Sequence, residues 1–179
     1  MCSDDRWKNL VPLKFNDYIN KNDLICNLMQ NKYKKITHII HMGACSSTTE
    51  KDVDYLMRNN YEYSKKLFHY CTDNFIEFVY ASSCATYGDG SRGYNDYDVY
   101  LEKYKPLNPY GYSKHLFDLY VGKTNGFENT IGLKFSNVFG CNELHKQNMM
   151  SMVCKSYLQI KQTGKVQLFK SYNDNYKDG

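Results

Sequence analysis

Only three prolines and one tryptophan occur among the 179 residues, and no apolar run approaches the length that crosses a bilayer. No Cys-x-x-Cys pair exists, although seven cysteines are scattered from Cys2 to Cys154. An odd number without metal-binding or redox spacing, and with no secretory leader before it, excludes a disulfide framework. It predicts a reduced, cytoplasmic protein that holds no metal. Charge of one sign is scarce too. The net charge is +4, and lysines gather only in short clusters such as NKYKK at 31–35, so neither a nucleic-acid nor a membrane partner is expected. Nowhere does the sequence contain a Gly-x-x-Gly-x-x-Gly turn, the element that seats a pyrophosphate at a helix N-terminus.

What is present is ordinary for a globular chain: 42% apolar and 23% charged residues, enough length for one domain or a little more. The 18 tyrosines fall inside periodic segments, where they fill cores and helix faces rather than stack on bases. ITHIIHMG (36–43) reads as a short buried strand. A long helix follows over 47–74, with Ser47-x-x-Glu50 as its capping box. IEFVYASS (76–83) reads as a second strand, TIGLKFSNVFG (130–140) as a third and KVQLF (165–169) as a further one. Helices are predicted over 109–124 and 149–162. This alternation predicts an α/β fold with a doubly wound parallel sheet covered on both faces. In such sheets ligands bind at the carboxyl ends of the strands. GACSSTT, SSCATYG and SNVFG all arrive there.

KPLNPYGYSK (105–114) supplies the candidate chemistry. Asn108 is a good N-cap and Pro109 a good first helical residue, so Tyr110 and Lys114 stand one turn apart on one face. Tyr112 points elsewhere. On its own, Tyr-x-x-x-Lys fits an ordinary helix at least as well as an active site.

HMGACSSTTE (41–50), NNYEYSKKLFHYC (59–71), YASSCATYG (80–88), KPLNPYGYSK and the NVFG…HK stretch (137–146) together make the chain resemble the extended short-chain dehydrogenase/reductase family. Within it, the chain looks like the epimerases that act on ADP-heptose. The resemblance spans nearly the whole chain. It implies a Rossmann-like sheet that is incomplete here. Residues 1–140 would form a partial NADP-binding domain lacking its first strand, turn and helix, and 141–179 the beginning of a smaller substrate domain. It implies inversion at carbon 6 of the sugar through a transient ketone, a step in making the lipopolysaccharide inner-core precursor. NADP would take a hydride and return it, and activity would be impaired in a chain of this extent. At full length the family implies a homo-oligomer.

Residue by residue, the resemblance implies Tyr110 as the acid/base and Lys114 as its partner and a cofactor ligand. Ser83 would hydrogen-bond the reacting oxygen, and Lys146 would be the second acid/base. Met42, Gly43, Ala44, Cys45, Ser46, Asn59 and Val138 match cofactor positions, with Arg6 and Lys21 on the adenosine side. Asn137, Asn148, Lys155 and Phe169 match substrate positions. A dehydratase of the same family would carry Asp-Glu where Cys84-Ala85 stands, which argues against dehydration. A UDP-sugar 4-epimerase and a non-catalytic remnant that binds nucleotide sugar weakly are the other readings.

Overall fold

The computed structural model describes residues 5–171, 174, 175, 177 and 178, apart from the side chains of Asp5 and Asn148. The chain divides into two compact units, Asn16–Ser136 and a second made of Met1–Phe15 with Asn137–Gly179.

In the first unit the helix α1 (Lys21–Met29) begins at Asn20, whose side chain accepts from the Asn22 N–H. Three parallel strands follow, β1 (His38–His41), β2 (Glu77–Ser83) and β3 (Thr130–Phe135), in the order β1-β2-β3. The helical connections are α2 (Val53–Leu56) and α3 (Tyr63–Asp73), joined by a π-helical stretch Met57–Glu62, and then α4 (Pro109–Lys123). On β2 the period of two is plain: Phe78, Tyr80 and Ser82 are buried, while Val79 and Ala81 are only half-buried. Phe78 and Tyr80 join Leu28, Leu67, Phe68, Phe117 and Val121 in one apolar core. The Phe117 ring meets Tyr80 edge-on at 4.8 Å between centroids, a favoured aromatic geometry. Each such side chain contributes about 1.5–3 kcal/mol by leaving water. Gly132 pairs with Tyr80 across the ladder. A Cβ there would lie 2.5 Å from the Tyr80 hydroxyl, so only glycine leaves room for that phenol to cross β3.

The parallel sheet was expected and is found. The covering of both faces is not. Ile40, Ile131, Leu133 and Phe135 alternate onto the face opposite Phe78 and Tyr80, and all are exposed, Ile40 at 68%.

Several expected elements are shorter or absent. The helix predicted from Ser47 starts only at Val53. The Glu50 carboxylate turns back to the N–H groups of Lys51 and Asp52, and the Ser47 hydroxyl is engaged with Thr49. Asp52 is the true cap, its side chain accepting from the Tyr55 N–H at 2.8 Å. β3 stops at Phe135 rather than running to 140.

In the second unit, 3-10 turns occupy Asp5–Asn9 and Leu144–Met149, and α5 spans Met152–Thr163. Ser151 caps α5, and Gly164 closes it in the left-handed region at φ 69°. The strand expected over 165–169 does not form. Its alternation has no neighbouring ladder, the Gln167 N–H bonds the Gln159 side chain instead, and Leu168 and Phe169 are exposed.

Candidate active site

Helix α4 begins as its sequence demands. The Asn108 side chain accepts from the Gly111 N–H at 2.7 Å with Pro109 next to it. The start is fixed closely against the 3-10 turn Cys84–Tyr87 that follows β2: a Cβ on Gly111 would come within 2.8 Å of the Ala85 carbonyl oxygen. The helix therefore rests on the carboxyl end of the sheet. Tyr110 is buried at 9% exposure and Tyr112 lies at 49%, so the tyrosine that faces inward is the one on the Lys114 side. Lys114 is buried, and its Nζ donates to the Ala81 carbonyl at 2.7 Å. Burial lowers its ammonium to about 8, and the nearby Asp118 carboxylate opposes that shift. Ser83, the last residue of β2, is buried. Its Oγ accepts from the Ala85 N–H at 3.1 Å.

The 42–46 loop leaves the end of β1 and is tied to the same helix. Asn60 lies within the π-helical stretch and is 1% exposed. Its amide oxygen accepts from the Cys45 N–H at 2.9 Å. Its amide nitrogen donates to the Cys45 carbonyl and to Ser113 Oγ, and Ser113 donates to the Tyr110 carbonyl. One asparagine thus joins the loop to the turn of α4 that carries Tyr110. Asn59, its neighbour, bonds the Asn60 side chain and accepts from Lys21, so these two expected cofactor residues do meet. A Cβ placed on Gly43 would find only the His41 ring, at 3.9 Å, which leaves that loop open to a ligand.

His41 sits beneath the loop with Nε2 at 2.9 Å from Ser64 Oγ. Ser64 itself donates to the Asn60 carbonyl, which makes the imidazole the donor. Burial, and then the charge of Lys114, pushes His41 down to about 4, so it stays neutral.

The remaining expected residues belong to the second unit. Arg6, Asn137, Val138, Lys146 and Phe169 are exposed, Lys155 is half-buried on α5, and the Asn148 side chain lies outside the described residues. The loop bearing Lys146 is held by Glu143. This buried carboxylate accepts from the Ser151 and Gly140 N–H groups, each at 2.8 Å, and from Ser151 Oγ. Those backbone donors hold it below the usual glutamate range. Gln147, just after Lys146, takes a left-handed φ of 46°.

Asn60, Ser113, His41 and Glu143 were not singled out in the sequence. The repeated asparagine in NNYEYS was visible. Which of the two faces inward depends on the π-helical offset, which no periodicity reports. Among the described residues, no group of His, Cys, Asp and Glu side chains converges as a metal site. Nor is any described helix long and apolar enough to cross a membrane.

The sheet edge, the buried Tyr110–Lys114 pair and the tethered loop can be set beside known proteins. The family described as "NAD dependent epimerase/dehydratase family" matches residues 7–176. The ADP-L-glycero-D-manno-heptose-6-epimerase of Nitratidesulfovibrio vulgaris is 43% identical over 180 residues, covering 100% of this chain and 56% of that protein. The protein of the same name from Fusobacterium nucleatum is 47% identical over 184 residues, covering 98% of this chain and 54% of its own length. The chain thus spans about half the length of the curated relatives it matches. Among solved structures, the Helicobacter pylori ADP-L-glycero-D-manno-heptose-6-epimerase superposes with a TM-score of 0.74 at 27% identity, over 91% of this chain and 51% of that one. With the match running through nearly every element described above, the chain belongs to the NAD-dependent epimerase/dehydratase family.

Proposed function

We propose that this chain carries the acid/base half of an ADP-heptose 6-epimerase site that works with NADP. The observation that carries the reading is the burial of Tyr110 and Lys114 beside Ser83 at the carboxyl edge of the sheet, with the 42–46 loop bound to the same helix through Asn60. The names of the relatives at 43% and 47% identity support the substrate.

Inversion at a secondary alcohol needs the carbon to lose and regain a hydride, and the nicotinamide, when bound, supplies that exchange. The chain's own groups handle protons. Tyr110 takes the proton of the carbon-6 hydroxyl as the ketone forms. Lys114, one helical turn on, stabilises charge that develops on the phenol oxygen and holds the cofactor ribose. Ser83 hydrogen-bonds the reacting oxygen. After the sugar has turned over, a proton must reach the ketone oxygen from a second group, and Lys146 is assigned that role. Met42, Gly43, Ala44, Cys45, Ser46, Asn59 and Val138 would hold the cofactor, with Arg6 and Lys21 on its adenosine side. Asn137, Asn148, Lys155 and Phe169 are assigned to substrate binding. Residues 1–140 are assigned to the cofactor domain and 141–179 to the start of the substrate domain.

The sequence holds no Gly-x-x-Gly-x-x-Gly turn. The residues present therefore fit part of the cofactor, and a helix N-terminus for the pyrophosphate is not among them. This favours a second reading, a chain that binds nucleotide weakly without turning it over. Calorimetric titration of the 179-residue chain with NADP and with NAD tests the cofactor. The expected result is saturable NADP binding, weaker than that of the Nitratidesulfovibrio vulgaris relative measured alongside and reduced further by Lys114→Met. No saturation by NADP, or tighter binding of NAD, would overturn it.

A further inference from the structure

An ion pair of buried Asp118 and part-buried Lys134 lies beneath the site, on the covered face of the sheet that also carries Phe78 and Tyr80. Asp118 is 2% exposed. One carboxylate oxygen accepts from Tyr80 Oη at 2.8 Å, the other from Ser82 Oγ at 2.7 Å and from Lys134 Nζ at 2.5 Å. The ammonium of Lys134 continues to Thr86 Oγ1 at 2.9 Å, and Thr86 donates to the carbonyl of Ser83 at 2.8 Å. The network thus starts one turn after Lys114 on α4, crosses β2 and β3, and ends on the backbone of Ser83. Taking Asp118 wholly and Lys134 largely out of water is costly, and an apolar pair of similar volume would carry no such penalty. The structure therefore keeps a costly arrangement that ties α4, one turn after Lys114, to the backbone of Ser83.

We propose that Asp118, clamped by Lys134, is a positioning residue of the site: through Tyr80 and Ser82 it sets the register of α4 against the end of β2 and places a carboxylate one helical turn from Lys114. The inference rests on the reading of Lys114 as the partner of Tyr110. Lys114 has Tyr110 and Asp118 one helical turn to either side of it on α4 and acts on His41 at the end of β1, while Tyr80 from β2, Lys134 from β3 and His115 from α4 surround Asp118. Asn60 and Ser64, on the side of α2 and α3, are uncharged. Asp118 is the one anion among these. Of the two influences on Lys114, burial lowers its ammonium to about 8, and Asp118 raises it.

That opposition makes the test directional. A role confined to holding the fold predicts that loss of Asp118 loosens the layer, admits water and lets Lys114 return upward toward an ordinary lysine. The positioning role predicts the reverse. The full chain, labelled with carbon-13 at the lysine ε position, is titrated by NMR, with the Lys114 signal identified by its loss in Lys114→Met. Asp118→Asn should lower the Lys114 midpoint by about 1 unit, the usual scale for removing a close opposite charge, and Asp118→Glu should restore most of it. If Asp118→Asn does not fold, Lys134→Met decides. It leaves Asp118 unopposed, so the midpoint should hold or rise with the wild-type amide fingerprint retained. An unchanged or raised midpoint in Asp118→Asn, or a fall in Lys134→Met, overturns the proposal. No nucleotide or sugar enters this titration. Failure to bind NADP would therefore sink the proposed function and leave this result standing.

Discussion

At the scale of single residues, two tyrosines two positions apart differ because α4 turns one inward and the other out. Tyr110 is buried and Tyr112 is half exposed. The difference is best measured in a hybrid in which residues 16–136 replace the matching segment of the Nitratidesulfovibrio vulgaris relative. There, Tyr110→Phe should lower the epimerisation rate by about 10²–10⁴-fold, the range for a lost acid/base group. Tyr112→Phe should stay within about threefold of the parent. Equal losses from both would remove Tyr110 from its role. This pair was legible in the sequence because Asn108 and Pro109 fix where the helix starts, and everything after follows at 3.6 residues per turn. Ser82 was legible only as a strand-end residue. Its part in the Asp118 network depends on β3 bringing Lys134 alongside, a long-range pairing that no local pattern reports. His41 likewise reads as a strand residue until Ser64 and Lys114 are placed around it.

At the scale of elements, β1, β2 and α4 follow from period and capping, and their ends fall within two residues of expectation. The 47–74 segment shows where such reasoning stops. A capping box at Ser47 and Glu50 satisfies the pattern, yet Asp52 two residues after Glu50 is the cap that forms, and the 42–46 loop is bonded to Asn60. Competing caps of similar strength cannot be ranked by sequence when tertiary bonds decide between them. The consequence is measurable by urea denaturation of the chain. Asp52→Ala should destabilise by about 1 kcal/mol, the typical worth of an N-cap, and Ser47→Ala by less than about 0.5 kcal/mol. The reverse order would return the helix start to Ser47. The failed strand at 165–169 has a different cause. Alternation states which residues share a face, but a strand also needs a neighbour, and the Gln167 N–H found a side chain instead.

At the scale of the whole molecule, the parallel sheet has one face packed by α3 and α4, and the other shows Ile40, Ile131, Leu133 and Phe135. Parallel sheets are ordinarily buried on both faces, and the curated relatives are nearly twice as long as the matched region. The candidate site residues of Asn16–Ser136 are nevertheless brought together by bonds internal to that unit. On the proposed function, this unit carries the acid/base set that acts on ADP-heptose. The most direct measurement is chromatographic separation of the carbon-6 epimers after the hybrid is incubated with NADP and ADP-D-glycero-D-manno-heptose. Conversion to the L-glycero epimer, lost in Tyr110→Phe, is the predicted result. A folded, NADP-binding hybrid that leaves ADP-heptose unchanged but interconverts UDP-glucose and UDP-galactose would contradict it.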